Sequence, residues 1–281
     1  MPRKTSPFGI ANGEQGSMRR KAKRWTSAAA QRISQVAGDV ASIEEAVAVI
    51  ARRFLDGIPC PPTDLDTLKD RLHVESIDSV PGLPIAGELR RDGRALRIVH
   101  SESLSPGRRR FTIAHELGHA FFETTGPNCP RYGEELERIC DMLASEFLMP
   151  RAVFQNRLGD TVTPEHIYQL ARDFGTSVMA TALRCQQLRR TSIFQVEDAQ
   201  VVWGYGQVRR QQDLRDDPDG FEAAITQAMN GNAGEQSVWF RRSDHMLRWV
   251  CSRGQRRALF VLAPMSRDQK RPEVARNATL V

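Results

Sequence analysis

An α+β fold is predicted for this chain, and three observations predict it. Apolar residues at helical spacing and short alternating runs occupy separate stretches of sequence, so helices and strands segregate rather than alternate one by one. The strand-like runs are brief and punctuated by Pro81-Gly82, Pro84 and Asp92-Gly93, which suits a small antiparallel sheet. At 281 residues the chain also exceeds one typical domain. The expected organisation is a basic disordered arm over 1–35, a compact α+β domain over 36–150, a helix-turn-helix-like segment over 151–190 and a C-terminal mixed α+β domain over 191–281.

Formal net charge is +6, and much of the excess lies in Met18-Arg19-Arg20-Lys21-Ala22-Lys23-Arg24. Such a segment buries too little apolar surface to fold alone. Nucleic-acid phosphates are one partner its charge suits, and a solvated tail is the plain alternative. The first residues are followed by a polar stretch without an apolar signal core, and no apolar run approaches the ~20 residues that span a bilayer. Five scattered cysteines without a CxxC pair argue against a disulfide framework or a thiolate zinc site. These features lead to an expectation of a cytoplasmic protein with no membrane partner.

From about residue 40 the pattern is that of a folded domain. Residues 43–55 form an amphipathic helix, Pro61-Pro62 breaks it, and 64–72 make a short second one. Strands are expected at 74–77, 85–89 and 95–99. Residues 95–101 are the candidate edge along which an extended peptide adds to the sheet.

The next helix carries His115-Glu116-Leu117-Gly118-His119, opened by Ser105-Pro106 as cap and first turn. Imidazoles at i and i+4 meet on one helix face, close enough to converge on one zinc ion at about 2.0–2.1 Å each. Glu116 then sits beside the metal rather than on it, the place for a general base that takes a proton from water. Gly118 is a weak helix former, useful where another backbone passes close to the metal. A second helix follows over 134–149, ended by Pro150, with Glu137 and Asp141 four residues apart. One of these carboxylates completes a site with an open coordination position, and the other orients a ligand imidazole. Helices, a small sheet and then these two helices make a zincin-like arrangement.

These two stretches closely resemble the ImmA/IrrE family of zinc metallopeptidases. The family typically reads RFTIAHELGH and then E-x-x-A-N-x-F-A-A-E-L-L-M-P, matched here by Arg110 to His119 and by Glu137 to Pro150. Cys140, Asp141, Leu143 and Ser145 replace the usual Ala, Asn, Phe and Ala, and none of the four removes a ligand. The resemblance spans roughly residues 45–190. It implies a gluzincin-like centre with one zinc ion per chain, or manganese, on His115, His119 and Glu137, and with Glu116 as catalytic glutamate. Asp141 is the candidate for steadying a ligand histidine. Tyr132 and His100 are the candidates for stabilising an oxyanion. The substrate it implies is a DNA-binding helix-turn-helix repressor, cut to derepress stress-response or mobile-element genes. Two alternatives belong to other classes: a DNA-binding transcription regulator, and a non-catalytic antitoxin-like partner-binding module, each with a structural zinc site.

Beyond Pro150, residues 164–174 and 178–188 read as two helices around a Gly-containing turn, capped by Thr163 and Ser177. The second helix offers Arg184, Gln186, Gln187, Arg189 and Arg190 as candidate DNA contacts. Residues 192–281 alternate as strands at 192–196, 201–208, 237–240, 246–251 and 258–262, with one helix over 221–229. A mixed sheet with a helix packed on it is expected there, a sensor-like or docking architecture.

Overall fold

The structure, a computed structural model, describes residues 25–125, 132–189, 191–206, 221–230, 235–240, 245–251 and 256–264. The chain divides into two compact units, one of Met1–Phe154 with Asp173–Thr176, the other of Gln155–Arg172 with Ser177–Val281. Among the described residues no helix is long and apolar enough to cross a membrane.

The first unit begins with helix α1 (Ala28–Ala37), α2 (Ile43–Leu55) and α3 (Leu65–Arg71). Ser27 and Ser42 cap α1 and α2 by accepting the backbone N–H three residues on, and Asp64 caps α3 in the same manner. Helix α1 begins inside the stretch expected as a disordered arm and runs two residues past its end. Its buried Ala29, Ala30, Ile33 and Ala37 pack against α2 and α5, so the folded part starts earlier than expected. The basic segment 18–24 lies outside the described residues.

Strands β1 (Val74–Val80), β2 (Gly87–Asp92) and β3 (Ala95–Ser101) form one sheet in the order β1-β3-β2. Two expectations are corrected here. The sheet is mixed rather than antiparallel, because β3 pairs antiparallel with β2 across the Asp92-Gly93 turn but parallel with β1. Residues 95–101, the expected edge, are the central strand, and their burial on both sides agrees with that. The edge beside α4 is β2.

Helix α4 (Pro106–Thr124) lies across the sheet, and α5 (Glu134–Leu148) packs along α4. Pro106 suits the first turn of α4, but the Ser105 side chain makes no cap bond. Leu117, Phe121, Leu136, Ile139, Leu143 and Phe147 between the helices are 0–1% exposed. Burying each such side chain stabilises by roughly 1.5–3 kcal/mol. Arg110 ties this layer to the loop after α2, donating to the Thr63 carbonyl at 2.7 Å, while the Thr63 hydroxyl donates to the Phe147 carbonyl at 2.7 Å. Gly175, at φ 63°, belongs to the same unit, and a Cβ there would fall 3.0 Å from Arg110 Nε.

Helix α6 (Arg151–Leu158) follows Pro150 and was not foreseen in the sequence. The two expected helices beyond it are α7 (Pro164–Phe174) and α8 (Val178–Leu188), capped by Thr163 and Ser177 as predicted. In the second unit, β4 (Ser192–Glu197), β5 (Gln200–Tyr205), β6 (Glu235–Phe240), β7 (His245–Cys251) and β8 (Arg257–Pro264) make a sheet ordered β5-β4-β8-β7-β6. Every pairing in it is antiparallel, so it is not the mixed sheet expected. Helix α9 (Phe221–Asn230) covers one face, where Phe194, Trp249, Phe260, Ile225 and Ala228 form the core. Phe194 and Phe260 stack at 5.0 Å. Helix α8 packs against β4 and β5.

Candidate metal centre

Three side chains converge where α4 and α5 run together. His115 and His119 rise from α4 with their Nε2 atoms 3.2 Å apart, and their ring planes are inclined at 62°. From the first turn of α5, Glu137 places Oε2 3.2 Å from His115 Nε2 and Oε1 3.5 Å from His119 Nε2. The ligand-type atoms of the three all lie within 4.8 Å of one another. A tetrahedral ion with bonds of about 2.0–2.1 Å has ligand atoms about 3.3–3.4 Å apart, so the observed spacings fit one face of such a tetrahedron. Two imidazoles and a carboxylate are also the donor set that suits a borderline divalent ion.

The helices approach closely enough for this because of Gly118. A Cβ there would sit 3.1 Å from the Cα and 3.2 Å from the Cβ of Cys140, tighter than ordinary contact, so a side chain at 118 would press on the α5 backbone by a few tenths of an ångström. Asp141, one turn beyond Glu137, reaches the other side of His115, with Oδ1 2.9 Å from Nδ1. The Nδ1–H donates to that carboxylate, which leaves Nε2 facing the ligand position. His115 is therefore clamped between two carboxylates of one helix.

The electrostatics follow. Burial alone would lower the pKa of His115, but its hydrogen bonds to Asp141 and Glu137 and the charge of Glu116 outweigh burial and push it up to about 10. In return, His115 and then His119 hold the Glu137 carboxylate well below the usual range. Glu116 is 8% exposed, and burial raises its pKa against the opposing pull of His119 and His115 and a backbone hydrogen bond from Leu89.

That last contact comes from β2. Ser101 N–H donates to the Ala86 carbonyl, so the register makes 88/99 and 90/97 the hydrogen-bonded pairs with β3. The backbone groups of Gly87, Leu89 and Arg91 therefore point away from the sheet, and the Leu89 N–H meets Glu116. Further along, Arg91 pairs with Glu123 of α4. Sequence reasoning missed Leu89, because a backbone donor leaves no mark in residue type.

The remaining candidates are placed as follows. Tyr132 stands just before α5 and is 89% exposed. His100 is 5% exposed, and its Nδ1 lies 3.2 Å from the Ser101 carbonyl oxygen. Neither is in the group that can hold an ion. On α8, Arg184 is buried and so does not present its guanidinium as a groove reader. Arg189 is bound within its own unit, donating to the Gly159 carbonyl at 2.7 Å and lying 4.0 Å from Asp160. Gln187 is exposed and Gln186 is half-buried, while Arg190 lies outside the described residues.

Fold and site together define an α+β protein in which a His-Glu-x-x-His helix and Glu137 of the next helix form a group that could hold a metal ion. Residues 81–186 match the model of the IrrE N-terminal-like domain, Peptidase_M78, so the chain carries a domain of the ImmA/IrrE family, as the sequence motifs implied. The family is metallopeptidase-like, and the matched span holds all three ligand-type residues and Glu116. A solved structure described as a Mycobacterium tuberculosis transcriptional regulator is similar at a TM-score of 0.49 and 13% identity, over 84% of this chain and 79% of that one. No curated protein matches the chain.

Proposed function

We propose that the chain is a zinc-dependent endopeptidase, and that its substrate is a helix-turn-helix repressor whose cleavage releases stress-response or mobile-element genes. The observation that supports the hydrolase reading best is the triangle of His115, His119 and Glu137 with buried Glu116 beside it. These three residues would hold the ion, zinc by preference from the donor set and manganese as the substitute. An ion bound there supplies Lewis acidity, lowering the pKa of water toward neutrality and polarising a peptide carbonyl.

The protein's own groups do the rest. Asp141 fixes the ring of His115 so that Nε2 presents its lone pair. Glu116, with the Leu89 N–H of β2 facing it, accepts the proton of the attacking water and returns it to the leaving amine. Burial holds its pKa above that of a free glutamate, which suits a group that must both take and give a proton near neutrality. The outward backbone groups of Gly87 and Arg91, on either side of the Leu89 N–H that faces the base, offer an extended peptide an edge to pair with.

Glu116→Gln tests this reading against a structural zinc site. The variant keeps the fold and binds zinc as the parent does, while cleavage of the repressor falls on the order of 10³-fold. Unchanged cleavage, or unchanged regulation in cells, would sink the enzyme. Were a small helix-turn-helix protein encoded beside this chain, it would be the first substrate to test. The DNA-binding alternative has lost ground, since Arg184 is buried and Arg189 is engaged within its own unit. Gel shifts at several salt concentrations examine what remains of it.

A further inference from the structure

The first turn of α5, which carries Glu137, is held from its far side by the N-terminal segment. Glu135 accepts the backbone N–H groups of Thr26 and Ser27 at 3.1 and 2.9 Å. The Arg138 guanidinium lies over the Trp25 ring, 4.6 Å from its centroid. Residues 135 and 138, three apart, share the helix face toward α1, whereas 137 and 141 share the face toward α4. Ser27 is the cap of α1, so Glu135 sits at the positive end of that helix.

Such a hold has work to do. Gly133 stands at the cap of α5 with no side chain to bond the first-turn N–H groups. Glu137 therefore rides on a first turn without a side-chain cap, the part of a helix most prone to fray, and its side chain is 53% exposed. Two helix positions pinned on the opposite face limit that fraying.

We propose that Trp25 and Glu135 are positioning residues for Glu137, forming a latch between the N-terminal segment and α5 that sets how tightly the centre holds its ion. The proposal rests on the reading of His115, His119 and Glu137 as ligands, and it makes ion affinity depend on residues that never touch the ion.

The test is zinc competition with a chelator on the full chain, together with amide hydrogen exchange over residues 135–139. Trp25→Ala and Glu135→Ala each weaken zinc binding about 10-fold and speed exchange in that turn, while Trp25→Phe and Glu135→Gln stay near the parent. Arg138→Ala removes the same ring contact from the α5 side and reproduces Trp25→Ala. Zinc affinity and exchange unchanged in the alanine variants overturn the latch. So does an equal loss in the conservative pair, which would mark general damage. If the parent chain itself binds no zinc, the metal reading fails instead, and exchange in the metal-free protein still decides the latch.

Discussion

His115 is the residue on which the centre's chemistry turns, because a proton and a metal ion compete for it. In the metal-free chain its pKa is pushed up to about 10 from an ordinary 6.5. The proton must leave before Nε2 can bind zinc, so binding releases it. Apparent zinc affinity should therefore rise about tenfold per pH unit between pH 6 and 8, and calorimetry in buffers of different ionisation enthalpy should register about one proton released. The sign for stability is the opposite. A pKa raised on folding stabilises the metal-free chain fully below about 6.5, and that contribution is lost as pH rises through about 10. Chelator-treated protein should thus melt progressively lower across that window, and zinc-loaded protein should not. Asp141 shares in this. Replacing it by Ala leaves the Nδ1–H without its acceptor and should weaken zinc binding about 10–100-fold, whereas Asn keeps the acceptor and loses less. Affinities equal to the parent's in both variants, measured by chelator competition, would remove Asp141 from the site.

At the scale of elements, the centre is a crossing of two helices over one strand edge. The crossing is fixed by Gly118 against Cys140. Gly118→Ala adds a good helix former worth about 1 kcal/mol in isolation, yet its Cβ meets the backbone of a buried helix. Overpacking of that kind costs about 1–3 kcal/mol, so the net effect should be destabilising and accompanied by weaker zinc binding. Urea titration and chelator competition on one preparation check both parts. A stabilised variant with normal affinity would mean the helices part without cost. The role of β2 belongs to the same scale. It runs beside α4, with Gly87 close to Thr112, the Leu89 N–H facing Glu116 and Arg91 paired with Glu123, so the strand proposed to present substrate and the helix proposed to present the base share one frame.

For the whole molecule, what could be read from sequence divides by range. The helices of the centre and the convergence of His115 and His119 follow from an i, i+4 rule that needs no partner element. Glu137 was legible through the second helix and the family motif together. Strand order was not, because pairing β1 with β3 in parallel requires a crossover that no local pattern encodes, and it moved residues 95–101 from edge to centre. Helix α1 escaped notice because alanines supply most of its buried face and resemble linker composition. Arg184 looked like a groove reader from its residue type alone, and only packing reveals it as buried. In the second unit, alternating apolar residues announced the strands correctly but not that all would be antiparallel. Its core stands on Phe260, fully buried, stacked on Phe194 and 5.9 Å from Trp249. Phe260→Ala should cost about 3–5 kcal/mol in thermal or urea unfolding while zinc affinity holds, since His115, His119 and Glu137 all lie in the other unit. A loss of zinc affinity in that variant would show the two units to be energetically coupled.

The tight seam between Gly118 and Cys140 carries one more consequence. The Cys140 side chain next to that seam is fully buried, out of reach of any electrophile in solution while the fold stays closed. Its alkylation rate, followed at that single site by peptide mapping, is a natural clock for how often the centre breathes open.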